Sequence, residues 1–158
     1  MATPIRTGID NALVASIATV ADFLHSGTSA PSIFLNPSRT IQESEPKPYV
    51  LILTDLERAE KANEYRDVKY MAEVSVWGDA DDNDLLHPKL VDYGAQVIQS
   101  LIPAGSLIRQ APGLIEIEEN PGYSSDVLFY ETGKGVVVLQ FNIRYRTAYG
   151  NPYLANPN

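Results

Sequence analysis

Residues 135–149, Gly-Val-Val-Val-Leu-Gln-Phe-Asn-Ile-Arg-Tyr-Arg-Thr-Ala-Tyr, alternate in polarity over their whole length. Val137, Leu139, Phe141, Ile143 and Tyr145 point one way, and Gln140, Asn142, Arg144 and Arg146 the other. A period of two is that of a strand with one buried face. At about 3.3 Å per residue it runs on the order of 45 Å, well beyond the usual strand. A small domain is not expected to cover such a strand alone. Its projecting end should pair with something else, first of all another copy of the chain. Arg144 and Arg146 share a face, and two readings stand level. They are charges that protect a strand edge, or they pair with a neighbouring subunit's carboxylates.

The rest of the chain supplies partners for this strand. Residues 7–25 read as an amphipathic helix, with Ile9, Leu13, Ile17, Val20 and Leu24 on one side and Gly27 as a stop. Leu13–Ala21 has the apolarity of a leader core, but Asp10 and Asp22 bracket it and its period is helical, so the helix is preferred. Residues 26–47 are rich in Ser and Pro and read as a long connection with a short edge strand at 32–36. Pro48–Leu53 has the continuous apolarity of a strand covered on both faces. Asp67–Trp77 alternates, with Val68, Tyr70, Ala72, Val74 and Val76 inward.

Between these two strands, residues 54–66 are charged and carry few apolar anchors. Thr54 and Glu57 match a capping box, which favours a short helix. The other reading, slightly preferred, is a long hairpin tip that orders on assembly. Residues 84–102 form a second amphipathic helix, with Leu86, Leu90, Gly94, Val97, Ile98 and Leu101 on one side and Pro103 at its end. Gly94 on that side points to close packing on a sheet. Leu114–Glu118 and Tyr123–Glu131 read as strands, Asn120-Pro121-Gly122 as a turn, and Thr132–Gly135 as the turn into the last strand. The expected fold is α+β: a mostly antiparallel sheet of four to six strands with two amphipathic helices on one face. One domain spans 1–158, with 150–158 as a C-terminal extension.

Composition limits the function. The chain has 158 residues, 44% of them hydrophobic, which is enough for one domain with a real core. Its net charge of −8 argues against a nucleic-acid-binding surface. With no cysteine there is no disulfide and no thiol chemistry, which suits a reducing compartment. No stretch reaches the roughly 20 apolar residues that span a bilayer.

The candidate sites for chemistry are weak. Asp79, Asp81 and Asn83 match the first ligand positions of an EF-hand loop, but Asp84 stands where Gly is needed and Leu90 where a bidentate Glu is needed. These acids read instead as favouring the positive end of the following helix. Gly133-Lys134-Gly135 lacks phosphate-loop spacing and reads as a hairpin turn. His25 and His87 have no partner at metal-ligand or triad spacing. No catalytic residue, metal or cofactor is expected. Glu116, Glu118 and Glu119 alternate with Ile115 and Ile117 and read first as the wet face of a strand, second as a negative surface facing DNA or a partner's arginines.

The N-terminal amphipathic helix, Pro46-Lys-Pro-Tyr-Val-Leu-Ile52, Val74-Ser-Val-Trp-Gly78 and the closing Phe141-Asn-Ile-Arg-Tyr-Arg-Thr-Ala-Tyr-Gly-Asn-Pro152 resemble the tail terminator and tail-completion proteins of long-tailed bacteriophages. The resemblance covers most of the chain in order and hydropathy. It implies a structural subunit, not an enzyme, that forms a hexameric ring and caps the head-proximal end of the tail tube. Such a ring stops tube polymerisation and offers a docking surface to neck and connector proteins. It is assembled in the host cytoplasm and sits at the tail–neck junction of the virion, with no role for a membrane. DNA passes through its lumen without specific binding, and an acidic lumen with Glu116, Glu118 and Glu119 would repel phosphate. The candidate contact residues are Arg144, Arg146, Tyr145, Tyr149 and Tyr153 of the last strand and its trailing segment. Glu57, Arg58, Glu60, Lys61 and Arg66 of the charged hairpin join them, and the hairpin is the candidate for meeting the tail tube. The alternatives are another ring of the same virion, a connector or tube subunit, and a small divalent-dependent enzyme centred on Asp79–His87.

Overall fold

The computed structural model describes residues 2–23, 32–38, 40–41, 45–55, 57–62, 64–121 and 126–155. The chain is α+β. Its sheet has eight strands, two to four more than expected, and is antiparallel except for one pairing. The core path is β1 (Ile33–Leu35), β2 (Tyr49–Thr54), β4 (Tyr65–Asp79), β7 (Lys134–Ala148) and β5 (Leu114–Glu119). Strand β3 (Arg58–Ala62) lies beside β4, while β6 (Asp126–Glu131) and β8 (Asn151–Ala155) lie beside β7.

The long alternating strand is β7, and its length is satisfied inside the chain. Strand β4 has the same 15 residues. The two pair without a break from Tyr65–Ala148 to Asp79–Lys134. The other edge of β7 is taken in turn by β6, β5 and β8. The expectation that its end projects toward another copy is therefore corrected: strand length alone calls for no second chain. The sequence of β4 hid this, because Tyr65, Arg66 and the charged segment before them do not read as strand.

That segment is the β3–β4 hairpin, with Arg58 opposite Lys69 and Ala62 opposite Tyr65. The short-helix reading of 54–66 is thus replaced by a hairpin. Thr54 ends β2 instead of capping a helix; its N–H is bound by Asn36 Oδ1 at 2.9 Å. The C-terminal extension is also structured in part, since β8 turns back at Gly150 (φ +76°) and pairs with the end of β7.

Both helices pack on the same face. Helix α1 (Ile5–Ala18) buries Ile5, Ile9, Leu13 and Ile17, four residues apart. It ends about two turns short of the expected limit because the chain tightens at Thr19 and Val20, whose N–H groups bond to the carbonyls of Ser16 and Ile17. A single turn at Ala21–Phe23 then carries Phe23 fully into the core. Leu24, His25 and Gly27 lie outside the described residues. Helix α2 (Asn83–Leu101) is capped by Asp82, whose Oδ1 accepts from Leu85 N–H at 2.9 Å. A Cβ on Gly94 would lie 3.3 Å from Val137 Cγ2 and 3.9 Å from Leu139, so the missing side chain is what brings α2 down onto β7. Under the helices lie Val68, Tyr70, Ala72, Val74 and Val76 of β4, as expected, and Val137, Leu139, Phe141, Ile143 and Tyr145 of β7. Strand β2 buries Val50 and Ile52 on this face; on the other, Tyr49 is buried against Trp77 and Leu51 half-buried while Leu53 is exposed, so the second face is covered only in part.

Candidate interaction surfaces

The strand parities sort the candidate residues onto two sides of the sheet. Tyr145 is on the helix side and is 2% exposed, which removes it from any outer surface. Its hydroxyl donates to Glu57 Oε1 at 2.6 Å, and Arg6 Nη1 donates to the same oxygen at 2.8 Å. Arg66 lies 3.8 Å from the other carboxylate oxygen. Beside them Tyr70 donates to Asp10 at 2.8 Å, and the Arg6 guanidinium sits 3.4 Å above the Tyr70 ring. Burial pushes the Tyr145 hydroxyl well up, reinforced by Glu57, so it stays a proton donor. Burial raises the Glu57 carboxyl, but Tyr145, Arg6 and Arg66 outweigh it and hold the group below its ordinary value. Glu57 is thus a clasp between α1, β7 and the base of the β3–β4 hairpin, not a contact on the hairpin's outside.

Arg144 and Arg146 lie on the helix-free side, but β7 is an interior strand, so they protect no edge. Asp67 of the same chain supplies their carboxylate. Arg144 grips it with two nitrogens, Nε to Oδ1 at 3.0 Å and Nη2 to Oδ2 at 2.7 Å. Arg146 Nε lies 3.5 Å from Oδ2, with its guanidinium 4.3 Å above the Tyr65 ring. The hydrogen bonds from Arg144 hold the Asp67 carboxyl below the usual carboxylate range.

Arg58, Glu60 and Lys61 of β3 are exposed, and the Lys61 ammonium is 4.3 Å above the Tyr149 ring. Tyr149 and Tyr153 are 57% and 52% exposed, accessible as expected. The three glutamates do not form one face. A bulge between Leu114 and Glu116 puts Glu116 opposite Arg144 and Glu118 opposite Asn142 on the open face, whereas Glu119 opposes buried Phe141. The open face at this end is a cleft of about 550 Å³ with Arg58 and Lys69 on one wall, Glu116 and Glu118 on the other, and Asn142 and Arg144 on its floor.

The opposite end of the open face is aromatic, which the sequence reading missed. Tyr49 and Trp77 stack at 5.7 Å and 10°, with Phe34 edge-on to Tyr49 and Tyr130 5.5 Å from Trp77. Next to this row, β6 exposes Leu128, Phe129 and Tyr130 in succession. The available signal was Val127-Leu-Phe-Tyr130, four apolar residues with no polar alternation between Asp126 and Glu131.

The Asp79–Asp84 loop serves local structure. Asp82 caps α2, and Asn83 Oδ1 accepts from Gly133 N–H at 2.8 Å, tying the loop to the β6–β7 turn. His87 is exposed, with its ring 6.3 Å from that of Phe129. Among the described residues no three His, Asp or Glu side chains converge as a metal-holding group, and no helix is long and apolar enough to cross a membrane. Comparisons with protein-family models and with curated proteins find no match for the chain.

Proposed function

We propose that the chain is a structural ring subunit of a long-tailed phage: a tail terminator, or a closely related neck or tail-completion protein, that caps the head-proximal end of the tail tube. The observation that carries this reading is the cluster of large apolar side chains left exposed at two edges of the subunit. Leu128, Phe129 and Tyr130 on β6, with Tyr149, Tyr153 and Leu154 at the C-terminal end, are each at least 39% exposed. Clustered exposure of this kind marks surfaces that work against other proteins. The segments that carry the phage resemblance fall on α1, β2, the end of β4 and β7–β8, which pack as one unit. In this reading the helix-free face with Glu116 and Glu118 lines the channel, and the net charge of −8 lets DNA pass without sticking.

The test is end-capping. Tail-tube subunits are polymerised with and without the purified chain, and tube lengths and ends are imaged. Short tubes with a terminal ring are expected. Unlimited growth with bare ends contradicts the reading. Incorporation along the whole tube makes the chain a tube subunit.

A further inference from the structure

The margins of the sheet are not protected alike. Strand β1 is only three residues long. Strands β3 and β5 carry charge along their length, Arg58, Glu60 and Lys61 on one and Glu116, Glu118 and Glu119 on the other. Strand β8 contains Pro152, which has no N–H to offer a neighbour. Each of these devices discourages an added strand. Strand β6 has none of them. It is six residues long, holds no proline, and has no charge between Asp126 and Glu131. Among the described residues it pairs only with β7, so every second residue turns its backbone N–H and C=O outward.

This margin is apolar on both faces. Leu128 and Tyr130 lie exposed on the open face. Phe129 lies on the helix face, its ring 6.3 Å from that of His87, and one turn further along α2 Val91 is exposed. A strand added here would bury side chains above and below the sheet as well as its backbone. The surroundings are acidic. Asp79, Asp81, Asp82 and Asp84 lead from the end of β4 into α2, all of them exposed. The hydrogen bond from Gly133 N–H to Asn83 Oδ1 holds their loop on the β6–β7 turn. Asp126 and Glu131 bound β6 itself. The two lysines of this corner are engaged locally: Lys134 pairs with Glu131 at 3.0 Å, and Lys89 donates to the Asp79 carbonyl at 3.2 Å. Six carboxylates against two lysines place half of the chain's net charge of −8 here. Such a field repels phosphate, anionic lipid and a second copy of the same corner. Antiparallel pairing of β6 with itself would also set Asp126 against Glu131 of the other chain. The same field attracts a cationic segment.

We propose that β6 is an acceptor edge for an extended segment of a different protein, matched to its six residues, with an apolar middle and Lys or Arg at its N-terminal end. The segment runs antiparallel to β6, the stronger pairing, which sets its cations beside Glu131 and the acidic loop. The backbone ladder supplies affinity. The apolar middle lies against Leu128 and Tyr130 on one face and Phe129 on the other, and the cations fix direction and register. The proposal rests on the reading of this apolar cluster as a contact surface and names the kind of chain that it takes.

The probe is a labelled synthetic peptide, acetyl-Lys-Lys-Thr-Val-Ile-Val-Thr-amide, titrated against the purified chain by fluorescence anisotropy at low salt. One control peptide replaces both Lys by Glu, and another replaces both Val by Pro. The Lys peptide is expected to bind, the Glu peptide about tenfold more weakly or less, and the Pro peptide not at all. Amide shifts in the nitrogen-15-labelled chain should cluster on residues 126–131 and the start of α2. Leu128→Lys changes an exposed side chain and should weaken the Lys peptide about tenfold with little change in Tm. No binding of the Lys peptide at millimolar concentration overturns the proposal. So does equal binding of either control peptide, or a cluster of shifts away from β6. Shifts on β6 when the chain alone is concentrated make the occupant a second copy and overturn it as well. Tube capping separates this from the ring reading. Peptide binding without capping overturns the ring and supports the acceptor edge; capping without peptide binding does the reverse.

Discussion

Asp67 lies directly opposite Arg146 in the β4–β7 register, yet its carboxylate is held by Arg144, the diagonal neighbour. Arg144 reaches across the strand pair with a two-nitrogen grip, while Arg146 turns its guanidinium over Tyr65. Long cross-strand side chains reach diagonal partners readily. The grip fastens the far end of the long strand pair, where the hairpin begins.

Asp67→Asn or Arg144→Ala should therefore destabilise the isolated subunit, by about 1–2 kcal/mol for a charge-assisted pair that is partly exposed. Equilibrium denaturation measures this. The double reversal Arg144→Glu with Arg146→Glu sets three carboxylates together and should lower stability further. Any loss of assembly in that variant reports on the subunit before it reports on an interface.

The carboxyls of Asp67 and Glu57 are both depressed in the folded state. A depressed carboxyl stabilises fully above its unfolded pKa, and the contribution is lost as pH falls through the folded one. The stability curve should be flat above about pH 5 and drop below about pH 4, where ordinary carboxyls begin to bind protons. Asp67→Asn should shallow that acid limb. An unchanged limb in Asp67→Asn would show that the arginines do not perturb this group.

Tyr145→Phe removes the hydroxyl that donates to Glu57 and leaves the ring packed against Tyr70. The expected cost is about 1–2 kcal/mol. The remaining arginines still favour the Glu57 carboxylate, so its pKa should rise but stay low. A carbon-13 titration of the Glu57 carboxyl follows that shift directly.

Two glycines should resist substitution for different reasons. Gly94→Val would push a side chain into Val137 and Leu139, an overpacking cost of about 1–3 kcal/mol. At Gly133, φ is +73° and a Cβ would meet the Ala80 carbonyl oxygen at 2.2 Å, so Gly133→Ala should cost more than about 2 kcal/mol. Thermal unfolding of both variants checks the order.

The periodic parts of the fold were legible in the sequence. The alternation of 68–76 and 137–145 and the helical spacing of 86–101 correspond to buried faces, and Gly94 could be read as a contact because it fell on the apolar side of its helix. What stayed hidden is what periodicity does not encode. Asp67 as the partner of Arg144 depends on register across 77 residues of sequence. The pairing that covers β7 needs β4 to run into a segment whose charges resemble a loop. Glu57 resembled a surface charge until Arg6 and Tyr145 were seen to converge on it. The exposed apolar run of β6 was visible, but only the topology shows that it lies on an edge.

The central claim is that this subunit works as a closed ring, and solution mass by light scattering across a concentration series, with negative-stain images of the largest species, tests it most directly. The account predicts discrete rings of uniform size that grow in population, not in length, as concentration rises. Open filaments of increasing length, or a monomer at every concentration that also leaves growing tail tubes uncapped, would contradict it.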